Sequence, residues 1–290
     1  MTKVALYVDK PVYYPGELVR GTVHVECEKP QKVRGIMLEA SGYEQTRITE
    51  SHGVGKHRHT HTYMSNNFLL RFGQPLLPEC ELPCGQYNYP FEYRLPAQAL
   101  PTYHGICSNV MYTVTANVDI PYWFDAHQTV ETPLLIPTSQ VPIERKPATL
   151  YSQNASDTTQ PGFMMTVART MFLSGEAIKG NFLLTGDGGH TVRKVDVELQ
   201  LIEQAVAQGQ SRVSNQVLAR TEIPGGYLAP GATVPFAMDI PSPVTTVFNG
   251  IFTKVWYALV INVDVAWAFD TTASLPLIIL ERPLGSTKDH

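Results

Sequence analysis

The sequence predicts an all-β protein built as two tandem antiparallel β-sandwiches. Three observations carry that reading: an internal repeat, a dominant period-two alternation of apolar residues, and turn signals at short intervals. Gly16-Glu17, Gly21, Val33-Arg34 and Glu44-Gln45 recur as Gly175-Glu176, Gly180, Val192-Arg193 and Glu203-Gln204, at a constant offset of 159 (16 to 175, 203 against 44). Pro90-Phe91, Gly105-Ile106 and Asn117-Val118-Asp119 recur as Pro235-Phe236, Gly250-Ile251 and Asn262-Val263-Asp264, at an offset of 145 (90 to 235). Self-similarity at this period marks two copies of one domain. The change of offset puts 14 more residues in the first copy, between its two matched blocks (159 less 145).

The alternation justifies the strands in turn. Val19, Gly21, Val23 and Val25 share one face, against Arg20, Thr22, His24 and Glu26 on the other. That is a half-buried strand. Val110, Tyr112, Val114, Ala116 and Val118 repeat the pattern, and Val255, Tyr257, Leu259, Ile261 and Val263 are their counterparts in the second copy. Val195, Val197, Leu199 and Leu201 alternate with Asp196, Glu198 and Gln200. Between the runs stand Pro15-Gly16, Gly53-Val54-Gly55, Ser174-Gly175, Gly186-Asp187-Gly188-Gly189 and Pro230-Gly231, all turn formers. No sustained helical face occurs; Ala97–Leu100 and Ile202–Gln208 offer at most a turn or two. Many short strands at turn-like spacing predict sandwiches. The expected division is a first sandwich over 1–144, a polar linker over 145–161 and a second sandwich over 162–290.

Composition bounds the function. The chain has 290 residues, 43% hydrophobic and 17% charged, with a net charge of −4. A dedicated nucleic-acid binder would be basic. The amino terminus reads as a strand rather than a leader. Val255–Phe269, interrupted by Asn262 and Asp264, is too short to span a bilayer. Four cysteines do not make a disulfide framework, so reduced thiols in the cytoplasm are expected.

Several segments resemble the arrestin-fold family. Tyr13-Tyr14-Pro15-Gly16-Glu17-Leu18-Val19-Arg20-Gly21-Thr22-Val23 is similar to the family's first-strand signature. Leu82-Pro83-Cys84-Gly85 through Pro90-Phe91-Glu92-Tyr93-Arg94-Leu95-Pro96 resembles its proline-flanked strand. Thr102-Tyr103-His104-Gly105, with Val110–Val114 after it, looks like the segment found in α-arrestins and in the arrestin-like subunits of retromer and retriever. Phe172–Gly180 and Thr246–Gly250 keep the pattern in the second copy. The resemblance implies a non-enzymatic adaptor or scaffold in protein trafficking or signalling, without a cofactor. It implies partners among the cytosolic tails of membrane proteins or trafficking-complex subunits, and peripheral association with endosomal or plasma membrane. The Pro-Pro-x-Tyr motif of α-arrestins is absent, and about ten residues follow Leu280. In this the chain looks more like the retromer-type subunits or a minimal arrestin.

Residue patterns mark candidate sites. His57, His59 and His61 alternate, so a strand would put three imidazoles on one face about 7 Å apart, with Tyr63 next. Three readings stand: a solvated hairpin face, a metal site for Zn, Cu or Ni, or a partner surface that titrates near neutral pH. The alternative function, a metal- or ligand-binding sandwich, rests on these histidines. Lys56, Arg58 and Arg71 add cations suited to acidic tails or lipid headgroups, and Glu44 and Glu50 on the preceding strand make it a mixed surface. The resemblance implies the same segment, since loops between the early strands of the first sandwich meet cargo in that family. Cys80 and Cys84 read as ordinary thiols, although a mixed site with the histidines is conceivable. Leu277-Ile278-Ile279-Leu280-Glu281 fits a loose clathrin-box pattern but reads as a core strand. Trp123, Trp256 and Trp267 are candidate anchors or loop packing. No nucleophile elbow, zinc-protease helix or phosphate loop is present.

Overall fold

The computed structural model describes residues 2–53, 58–121, 126–133, 146–152, 161–245, 247–267 and 269–281. Twenty strands occur among them, with one short 3-10 turn at Gly225–Tyr227 and no α-helix. They are grouped in two compact units. The first comprises Met1–Ile136, Ala205–Arg212 and Asn249–Thr253; the second comprises Pro137–Gln204, Val213–Phe248 and Lys254–His290.

In the first unit, β1 (Thr2–Val8), β2 (Leu18–Cys27) and β7 (Gly85–Arg94) form one antiparallel sheet in the order β1-β2-β7. A second sheet contains β4 (Gly35–His52), β5 (His59–Leu77), β9 (Ser108–Asp119) and β10 (Ala126–Glu131), in the order β10-β9-β4-β5. The short β8 (Tyr103–His104) pairs with β9, and β3 (Gln31–Val33) pairs with β6 (Cys80–Leu82). The expected apolar faces are the buried ones: Val19, Val23 and Val25 on β2, and Val110 through Val118 on β9. The sheets meet where Phe72 of β5 stacks on Tyr93 of β7, centroids 5.5 Å apart.

The second unit repeats the plan. β11 (Ala148–Tyr151), β12 (Gly162–Val167), β14 (Ala177–Gly186) and β17 (Thr233–Asp239) form a sheet in that order. The other sheet is β13 (Met171–Leu173), β20 (Thr271–Leu280), β19 (Thr253–Val265), β15 (Val192–Ala207) and β16 (Gln210–Pro224), with β18 (Phe248–Asn249) on β19. Phe163, Phe182, Phe236, Tyr257 and Leu259 lie in its core. The Leu277–Leu280 run is part of β20, with Leu277, Ile279 and Leu280 buried.

The repeated residues repeat because each pair performs one local task twice. Gly16 and Gly175 take φ of +81° and +75°, a conformation that favours glycine. The glutamate after each closes its turn: Tyr14 N donates to Glu17 Oε2 at 3.0 Å, and Leu173 N to Glu176 Oε2 at 2.8 Å. Gly21 lies opposite Phe91, and Gly180 opposite Phe236, so each aromatic ring covers a position that lacks a side chain. Arg34 Nε donates to Asp119 at 2.8 Å, and Arg193 Nε to Asp264 at 2.8 Å. The Tyr112 hydroxyl donates to Leu100 O at 3.0 Å, and Tyr257 to Thr245 O at 2.5 Å.

Two expectations are corrected. Ile202–Gln208 is not helical, since β15 runs through Ala207 with Glu203, Ala205 and Ala207 buried in alternation. Ala148–Tyr151, inside the stretch expected to be linker, is a strand that pairs with β12. Asp196 and Gln200, which alternate with the apolar residues of β15, are themselves buried by side chains from β16: Arg220 binds Asp196 at 2.6 Å, and Asn215 donates to Gln200 at 3.0 Å.

Candidate functional site

The β4–β5 hairpin outruns its sheet. β4 pairs with β9 only over Gly35–Thr46, but with β5 through His52. Beyond Thr46 it is therefore a two-stranded ribbon, and such a ribbon is marginal alone. Both of its faces are ordered by side chains. On one, Thr49 meets Thr62 at 3.3 Å and Ser51 meets Thr60 at 3.2 Å, hydroxyl to hydroxyl. On the other, His52 lies opposite His59, Glu50 opposite His61 and Ile48 opposite Tyr63. At its base Arg212 donates to Thr49 O, Gln208 N donates to Ser65 Oγ at 3.1 Å, and Gln208 Nε2 donates to Met64 O at 3.1 Å.

The ribbon brings together part of the site expected from sequence. His59 and His61 are exposed on one face, and His61 stacks on Tyr63 with centroids 6.5 Å apart. Arg58 is exposed just before them. Lys56 and His57 lie outside the described residues. Arg71 does not join the group: at ~3.3 Å per residue it stands about 40 Å along the strand from His59. Its guanidinium covers the Phe68 ring at 3.5 Å. That stacking follows from the register shift at Gly42/Tyr43, which adds a residue to β5 between them. Among the described residues no three His, Cys, Asp or Glu side chains converge as a metal site. Cys80 and Cys84 are free thiols, and Cys84 Sγ donates to Glu28 O at 3.4 Å.

Glu44 is not part of the mixed surface expected of it. Its side chain is fully buried. Ile251 N donates to Oε2 at 3.1 Å, while Phe252 N and Thr253 N donate to Oε1 at 2.8 and 2.6 Å. Three successive amides thus form a concave anion site filled by the protein's own carboxylate. Gly250 N donates to Thr253 O at 2.7 Å and closes this turn, and a Cβ on Gly250 would lie 2.4 Å from Glu44 Oε1. Beside it Thr46 Oγ1 donates to Val206 O at 2.6 Å. The signal was present in the sequence: Glu44 has the parity of Leu38, Ala40 and Ile48, all of them buried.

Of the tryptophans, Trp123 lies outside the described residues. Trp256 takes the Lys254 ammonium over its ring at 5.5 Å. Trp267 is fully exposed, with φ of +61°, and Phe269 is 86% exposed close by in the chain. An exposed aromatic pair at a hairpin end suits a partner pocket or a lipid interface. No helix of the described residues is long and apolar enough to cross a membrane.

Comparison with known proteins matches both halves to family models. Residues 3–139 match "Arrestin (or S-antigen), N-terminal domain", and residues 162–284 match "Arrestin (or S-antigen), C-terminal domain". Arrestin domain-containing protein 1 of Mus musculus is 27% identical over 126 residues, covering 43% of this chain and 27% of that protein. Arrestin domain-containing protein A of Dictyostelium discoideum is 19% identical over 306 residues, covering 96% of this chain and 51% of that protein. Arrestin domain-containing protein 4 of Mus musculus is 23% identical over 292 residues, covering 93% of this chain and 69% of that protein. The chain thus spans about a quarter to two thirds of the length of these relatives.

Proposed function

Because the chain belongs to the arrestin-fold family, we propose that it is a non-enzymatic adaptor which holds cytosolic parts of membrane proteins, or subunits of a sorting complex, against exposed β-structure. The observation that carries this reading is the ribbon of β4 and β5. The sandwich core does not use residues 49–52 or 59–62, which are exposed or nearly so. The matching hairpin of the second copy is shorter, and its end, 205–212, counts with the first unit. Ordered, polar and outside the core, the first ribbon offers hydrogen-bonding side chains on both faces at no cost to the scaffold. Recognition by such a surface is a matter of a few anchors within a polar rim.

Association with membrane is the second part of the proposal, and it rests on Trp267 and Phe269. Aromatic side chains at a loop tip partition into the headgroup region without a basic patch.

Affinity capture of the full-length protein from its own cells, followed by mass spectrometry, tests the first part. Membrane proteins or sorting subunits are expected with the wild type, and a variant carrying Arg58→Ser, His59→Ser and His61→Ser should recover them at least about tenfold less, the loss of roughly 1.4 kcal/mol of contact energy. Equal recovery by both proteins would remove the ribbon from the binding surface. Sedimentation with neutral phosphatidylcholine vesicles tests the second part. Trp267→Ser with Phe269→Ser should abolish co-sedimentation, and an unchanged pellet would exclude this tip as the membrane contact.

A further inference from the structure

Four of the chain's nine histidines fall within ten residues, 52–61. The strand register decides which of them can act together. His52 lies directly opposite His59, and Glu50 directly opposite His61. Period two puts all four on one face of the ribbon. Followed toward the sandwich, the same face carries Ile48 and Thr46, both buried. Past the edge of the core it turns to imidazole and carboxylate.

The other face of the ribbon has no such groups. Thr49 with Thr62 and Ser51 with Thr60 keep it both paired and soluble. Hydroxyls would serve equally on the first face if solvation were its only task. Histidines that stand across from one another do what hydroxyls do not: they bring nitrogen donors to one point. Directly opposed residues have Cβ atoms about 4.5–5.5 Å apart. Two nitrogens on one tetrahedral zinc ion lie about 3.4 Å apart, given Zn–N bonds of about 2.0–2.1 Å. Opposed imidazoles can therefore close on a single ion by side-chain rotation alone. Residues two apart on one strand start about 7 Å apart, so His59 and His61 are the poorer pair. His61 is moreover stacked on Tyr63, whereas His52 Nε2 lies 3.4 Å from Glu50 Oε2.

We propose that the ribbon binds a divalent transition-metal ion, zinc foremost, between His52 and His59, with the Glu50 carboxylate as third ligand. Two imidazoles and a carboxylate are donors that zinc accepts, with water completing the tetrahedron. Among the described residues no three such side chains converge as they stand. Binding therefore rotates exposed side chains, which costs rotamer freedom and no packing. It also replaces the contact between His52 and Glu50 with bonds from both to the ion. The consequence is mechanical: β4 and β5 become joined across the part of the hairpin that β9 does not support. The proposal does not depend on the adaptor reading, nor that reading on it.

Isothermal titration of the full, reduced chain with zinc chloride is the test, run beside magnesium chloride. One equivalent of zinc should bind with a Kd on the order of 10–100 μM, far weaker than a closed four-ligand site, and magnesium should not bind. His52→Ser and His59→Ser should each weaken zinc binding at least about tenfold, and His61→Ser should change it by less than about threefold. All three residues are exposed, so the fold survives each change. Hydrogen exchange fixes the place: with zinc, the amides of 49–52 and 59–62 should slow at least about tenfold, and those around Cys80 and Cys84 should not. A Kd above about 1 mM would overturn the proposal. Zinc binding that survives His52→Ser would overturn it too, by assigning the ion to the free thiols or to other histidines. Equal losses from His52→Ser and His61→Ser would do the same, since the donors would then run along one strand. Partner capture by the ribbon in zinc-free buffer would leave the adaptor reading standing in each of these cases.

Discussion

Glu44→Ala is expected to destabilise the protein by about 3–5 kcal/mol, since truncation strands three buried amides at roughly 1–3 kcal/mol apiece, with partial relaxation. Ile251, Phe252 and Thr253 all donate to this one carboxylate. Glu44→Gln keeps the shape but faces one side of its amide with an NH2 group instead of an acceptor, and about 2 kcal/mol is expected. Urea unfolding of the two variants beside wild type gives the order. Hydrogen exchange at the three amides gives the location, because they should lose protection before the strands do. A cost below about 1 kcal/mol for Glu44→Ala, with protection retained, would mean that water replaces the carboxylate without loss.

Gly21→Ala and Gly180→Ala should each cost about 2–4 kcal/mol, above the ordinary range for one added methyl because backbone as well as side chain blocks it. At Gly21 a Cβ would stand 2.2 Å from Tyr7 O and 2.4 Å from Phe91 Cζ; at Gly180 it would stand 2.5 Å from Thr166 O and 2.6 Å from Phe236 Cζ. The clash with the ring is separable from the clash with the carbonyl. Phe91→Ala removes the first only, so the double variant Gly21→Ala with Phe91→Ala should fall short of the summed single costs by about 1 kcal/mol or more. Denaturant midpoints of the four proteins complete the cycle. Strict additivity would show that ring and glycine are neighbours without being a packing unit.

Much of this architecture could be read from residues alone, and the physics explains where reading stopped. Period two set the buried faces of β2, β9 and β19 because one face of each meets a core. The repeat marked Gly21, Phe91, Arg34 and Asp119, yet gave no sign that the first two face one another or that the last two form an ion pair. Those pairings depend on which strands become neighbours, a long-range outcome. Glu44 was legible in parity and illegible in purpose, for its donors lie more than two hundred residues on. Arg71 was grouped with the histidines because it shares their hairpin, but about 40 Å of extended strand separates it from His59, and the added residue in β5 turns it onto Phe68 instead. Asp196 was legible only as a residue alternating with the apolar face of β15, and Arg220 of the next strand is what permits its burial.

The first compact unit is assembled from three separated stretches of chain, and this sets an order of events during synthesis. Residues 1–136 leave the ribosome well before 249–253 exist. At 5–20 residues per second the interval is on the order of ten seconds. Through that time Glu44 has none of its three amide donors, and its carboxylate must stay hydrated. The nascent first sandwich is thus held short of its final packing until the far end of the second copy has been translated. A chain that terminates early carries an unfinished first unit with an ionisable group exposed where a closed turn should be, and so is chemically distinguishable from the completed protein by the chaperones and proteases that survey it.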